Sequence, residues 1–99
     1  MLYAIIGQDV ENSLERRKLS RPDHLKRLEA LNQAGRLVLA GPLPAIDNDD
    51  PGDAGFTGSL VVAEFDNLAA AESWAGKDPY QTAGVFDSVI VKPFKKVLP

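Results

Sequence analysis

Apolar residues cluster in four short runs and recur at three- and four-residue intervals in two longer stretches. Leu2-Tyr3-Ala4-Ile5-Ile6-Gly7 is the first run, short enough for a strand buried on both faces and therefore central in its sheet. Arg36 to Ala40 is the second, ended by Gly41-Pro42 and Pro44, since proline cannot continue a ladder. Phe56 to Phe65 is the third, its β-branched and aromatic residues suiting a pleated surface. Val85 to Val91 is the fourth, with Pro93 to Lys96 as a tail.

Helical spacing lies between the runs. Leu25, Leu28, Leu31 and Ala34 form one stripe, preceded by Ser20 and Asp23 as a capping box and by Pro22 in the first turn, where no N–H is needed. Gly35 suits the residue after the helix, because it tolerates positive φ. The spacing predicts a main helix from Ser20 to Ala34 and a separate turn over residues 13–18, started by Asn12 and Glu15. Asn67 caps a second helix, Leu68 to Ala75, which Gly76 can stop. Asp78-Pro79-Tyr80-Gln81 starts a further turn, stopped by Gly84. The order β-α-β-β-α-β is the ferredoxin-like α+β arrangement, a single domain over residues 1–99. Both helices then cover one sheet face. Strands that are apolar at consecutive positions send half of their side chains to the other face, which predicts a homodimer.

Composition narrows the function classes. The chain has 99 residues, a net charge of −3 and no cysteine. The acidic balance excludes a nucleic-acid footprint, and the missing thiols exclude disulfides and thiolate metal sites. No apolar run approaches the roughly 20 residues of a membrane span. The first strand begins at Leu2 with no room for a signal peptide, so a cytoplasmic location is expected. Residues 45–55 hold four aspartates, but Pro51 and Gly58 break the calcium-loop pattern, and a solvated acidic loop is expected with no metal and no cofactor. Lys92, Lys95 and Lys96 read as a solvated tail, and Trp74, Tyr80 and Phe94 as core or pocket wall.

The only histidine is the first candidate for chemistry. At about 100° per residue, His24 lies beside Leu28 and Leu31 on the inward stripe. It is either a general acid or base or a buried structural histidine. Asp78 is the second candidate, as the carboxylate that orients the imidazole or as the cap of the following turn, and two oxygens allow both.

The segments MLYAIIGQD, SLERR, RPDHLKRLEALNQAGRL, AGPLPAID, DPGDAGFTGS, ESWAGKDPY and VKPFKK, which span nearly the whole chain, resemble the YciI-like proteins, the YCII-related domain family. The resemblance implies a dimeric α+β barrel related to muconolactone isomerase, with His24 and Asp78 as the family's active-site dyad. One related enzyme is a dehydrochlorinase acting on a chlorinated hydroxyhydroquinone. The expected function is cofactor-independent proton transfer, of lyase or isomerase type, on a small cyclic or enolic substrate. Arg21, beside the predicted helix start, is expected to bind a substrate anion, with Ser20, Ser59 and Tyr80 as further substrate-binding residues. The competing reading is a non-catalytic dimeric module that binds a small metabolite or a protein partner.

Overall fold

The computed structural model describes all residues, 1–99, as one four-stranded antiparallel sheet with its helices on one face. The elements are β1 (Leu2–Asp9), α1 (Leu14–Gln33), β2 (Leu37–Pro44), a short 3₁₀ turn (Gly52–Ala54), β3 (Phe56–Glu64), α2 (Leu68–Gly76), α3 (Pro79–Thr82) and β4 (Phe86–Phe94). The strand order is β2-β3-β1-β4, so the apolar run at the N-terminus is central. Tyr3 and Ile5 of β1 pair with Ala63 and Val61 of β3 and turn toward the helices. With Leu28 and Leu31 of α1, Phe65, Ala71 and Ala75, they form the core.

Two predicted boundaries move, both because of proline. The expected break before Ser20 is absent: α1 runs unbroken for 20 residues with Pro22 inside it. Pro22 removes one backbone donor, leaving the carbonyl four residues earlier, at Lys18, without its intrahelical partner. Lys18 and Pro22 are both exposed, where water can serve that carbonyl. Ser20 is therefore a mid-helix residue and not a cap. Ser13 precedes the first turn, and its hydroxyl bonds to Asp9 rather than to the helix. In the sheet, β2 continues through Pro42 to Pro44 and β4 through Pro93 to Phe94. Both are edge strands, the places where a missing ladder donor is tolerated. Gly35 and Gly84 take positive φ, as their predicted stop positions require.

Gly7 positions an aromatic ring. A Cβ there would meet the Phe86 ring at 2.6–2.8 Å, because Phe86 lies flat over this part of β1. Phe86 in turn makes an edge contact with Tyr80, with centroids 5.8 Å apart. Gly7→Ala should therefore push Phe86 and Tyr80 out of place and cost about 1–3 kcal/mol. Thermal melting checks this, and a melting temperature equal to that of the parent chain would contradict it.

Candidate active site

The N-terminal half of α1, the sheet strands β2 and β3, and α3 enclose a cavity of about 250 Å³. Its polar lining is Arg17, Arg21, His24, Ser59 and Tyr80; Leu25, Leu28, Pro42, Phe56 and Val61 are among its apolar lining. Each polar residue gets there for a local reason. Residues 17, 24, 28 and 31 of α1 are all buried, a spacing of seven, four and three that keeps them on one helix face. Ser59 comes from the helix-facing row of β3, opposite Gly7. Tyr80 lies in the first turn of α3, which Asp78 caps by accepting from the Tyr80 N–H at 2.9 Å.

His24 is 7% exposed and Asp78 5%. His24 Nδ1 lies 2.8 Å from Asp78 Oδ1 and 3.1 Å from Oδ2. A carboxylate only accepts, so Nδ1 carries the hydrogen, and in the neutral imidazole Nε2 is then left with its lone pair. Asp78 thus serves as cap and histidine partner at once, and it lies behind His24 rather than on the cavity wall. The imidazole stacks on the Tyr80 ring, with centroids 3.9 Å apart and planes at 10°. A ring held on one side by a carboxylate and on one face by an aromatic has a fixed orientation.

Arg17, which periodicity did not single out, is the most heavily bonded side chain of the site. Its Nε donates to Asp9 Oδ2 at 2.6 Å, and Nη2 donates to Asp9 Oδ1 at 2.9 Å, the Gly58 carbonyl at 2.7 Å and Ser59 Oγ at 2.9 Å. Its guanidinium also lies 5.0 Å from the Tyr80 ring centroid and 5.3 Å from that of Phe56. Asp9 sits at the bulge between Gln8 and Asp9 where β1 leaves its register with β4. The signal for Arg17 is the apolar stripe continued back seven residues from His24, and an assumed helix break at Ser20 hides it.

Of the expected substrate-binding residues, Arg21, Ser59 and Tyr80 line the cavity and Ser20 does not. Ser20, three positions after Arg17 and four before His24, lies at the edge of the same face, half-buried but outside the cavity lining. Trp74 is half-buried at the core margin under Arg27, and Phe94 lies on the open sheet face. Arg17 is neutralised by Asp9, whereas Arg21 makes no ion pair and leaves the cavity mouth positive. No three His, Asp or Glu side chains converge anywhere in the fold. No helix is long and apolar enough to cross a membrane.

Burial holds the Tyr80 pKa above its ordinary value, against the opposing pull of Arg17 and Arg21. A raised folded-state pKa supports folding fully below about pH 10 and withdraws that support as pH rises through the folded value. Alkaline titration of stability should therefore show a loss above about pH 10 that shrinks in Tyr80→Phe. Identical profiles for the two proteins would contradict the burial of this hydroxyl.

Residues 1–95 match the model of the YCII-related domain. The chain belongs to the YCII-related domain family. It is 60% identical over 97 residues to Protein YciI of Escherichia coli O6:H1, covering 98% of this chain and 99% of that protein. It is 57% identical, over the same shares, to an uncharacterized protein of Haemophilus influenzae. Among solved structures it is similar to the 5-chloro-2-hydroxyhydroquinone dehydrochlorinase TftG of Burkholderia phenoliruptrix AC1100, in complex with 2,5-dihydroxybenzoquinone. That likeness has a TM-score of 0.84 at 29% identity and covers 96% of this chain and 94% of the other. The α+β fold of this YCII-related protein is thus the fold of an enzyme that handles a small oxygenated ring.

Proposed function

We propose that this YCII-related protein is an enzyme that moves a proton on a small cyclic or enolic substrate, with His24 as the base and Asp78 as the residue that orients it. The observation that carries the reading is the 2.8 Å contact through Nδ1 of a residue that lines the cavity, because it occupies Nδ1 and keeps Nε2 available to act as the base. The similarity to a dehydrochlorinase and the ring compound bound to that enzyme support the reaction class and the ligand size. Arg21 supplies the charge for an anionic substrate. The test uses the same ring compound as a probe. In D₂O the protein should accelerate exchange of the ring hydrogens of 2,5-dihydroxybenzoquinone, and His24→Gln should not. Equal exchange with and without the protein would point instead to a binding module.

The proposed enzyme is a homodimer. Leu39 and Leu43 of β2 and Ile90 and Phe94 of β4 are 39–47% exposed on the face turned away from the helices, flanking the apolar side chains of β1 and β3. A second copy covers such a face with matching chemistry. Light scattering at micromolar concentration should give twice the chain mass of 10.7 kDa, and a stable monomer would refute the dimer.

A further inference from the structure

Three polar groups on the cavity wall have hydrogen-bonding capacity that the protein leaves unused: His24, Tyr80 and Ser59. The Tyr80 hydroxyl, within hydrogen-bonding reach of Arg17, donates to no protein acceptor, His24 Nε2 has no protein partner, and both residues line the cavity. Ser59 is the third case, and its direction is set. Its Oγ accepts from Arg17 Nη2 at 2.9 Å. A guanidinium cannot accept in return, so the Ser59 hydrogen is free of Arg17 and has no other protein acceptor. Arg17 cannot turn aside, because Asp9 grips it at two positions and the Gly58 carbonyl at a third. Tyr80 and Ser59 are 3% and 6% exposed, so what they offer is offered to the cavity alone. Burial keeps the Tyr80 proton in place. The wall therefore presents two hydroxyl donors and one lone pair.

We infer that the Ser59 and Tyr80 hydroxyls form a paired donor site for the oxygen of an enolate, with Arg17 as the positioning residue that turns the Ser59 hydrogen toward it. This rests on the proton-transfer reading and adds the other half of the reaction. His24 Nε2 takes a proton from the atom next to a carbonyl. That bond to hydrogen breaks and an N–H bond forms. The released pair becomes a carbon–carbon double bond, and the carbonyl π pair moves onto oxygen, where the two O–H groups receive it. Returning the proton from His24 at another position completes an isomerisation with no oxidant or reductant. The ligand class is a compact carbonyl compound that enolises readily, with its accepting oxygen opposite the atom that gives up the proton.

Titration with 2,5-dihydroxybenzoquinone, an anionic enol near neutral pH, tests this on the intact protein. Ser59→Ala and Tyr80→Phe should each weaken binding about tenfold, the effect of one hydrogen bond to a charged oxygen. Parent affinity in both variants, or no binding by the parent protein at millimolar probe, would overturn the donor site. Exchange of the ring hydrogens reads the base separately: weakened variants beside a parent protein that catalyses no exchange would support the donor site and remove the base. For Arg17, a double-mutant cycle is decisive. In an Arg17→Lys background Ser59→Ala should cost little more, whereas fully additive losses would show that Arg17 supports the fold without orienting Ser59.

Discussion

Arg17→Met should destabilise the fold by about 3–5 kcal/mol, the cost of leaving one member of a buried ion pair behind. Met matches the length of the arginine stem, so the loss is electrostatic rather than a packing void. The side chains of Arg17 and Asp9 are 6% and 1% exposed, so solvent screening does little to soften it. Without the guanidinium, Asp9 keeps only the Ser13 hydroxyl as a side-chain donor, and the Gly58 carbonyl loses a charged partner. In a domain of this size each kcal/mol lowers the melting temperature by about 4–8 °C. The double change Arg17→Met, Asp9→Leu should recover much of the loss, because the unpaired carboxylate goes with it. A single variant that melts with the parent protein would mean that the pair carries no net stability.

The second large effect is on rate. Replacing His24 by glutamine should lower probe exchange by about 10²–10⁴, the usual contribution of a positioned general base. Asp78→Asn separates orientation from folding. Asparagine is as good an N-cap as aspartate, so α3 keeps its start, and the amide oxygen can still accept from the Tyr80 N–H. What disappears is the negative charge that stabilises the imidazolium formed after proton uptake. A rate loss with an unchanged melting temperature supports a catalytic pair, and a lowered melting temperature with an unchanged rate supports a structural one.

The sheet order and the helix-covered face are legible in the chain because strand runs and helical stripes obey their own periods. The inward face of His24 follows from Leu28 and Leu31 by the same rule. Proline misleads in both kinds of element. Pro22 reads as a helix start, yet α1 tolerates it eight residues after Leu14 because the carbonyl it strands is exposed. Pro42 and Pro93 read as strand ends, yet both lie in edge strands. The first error has a functional consequence. Starting the helix at Ser20 cuts Arg17 from the stripe and promotes Ser20 to a binding residue, when Arg17 is buried on that face and Ser20 lies half-buried at its edge, outside the cavity lining. Contacts that depend on tertiary register, such as Arg17 with Asp9 and Ser59 or the Tyr80 ring on His24, leave no mark in local sequence. Local sequence marks Asp78 as a cap and leaves its pairing with His24 as an open alternative, because that second role depends on where α3 docks against α1.

The central claim is that Asp78 holds the proton on Nδ1 of His24 and leaves Nε2 bare toward the cavity. The chain has a single histidine, so one ¹⁵N-histidine spectrum reports it without assignment. At mildly alkaline pH, Nδ1 should show the shift of a protonated nitrogen and Nε2 that of an unprotonated one, with 2,5-dihydroxybenzoquinone moving Nε2 more than Nδ1. A proton on Nε2, or two nitrogens averaging between tautomers and blind to the probe, would contradict the account.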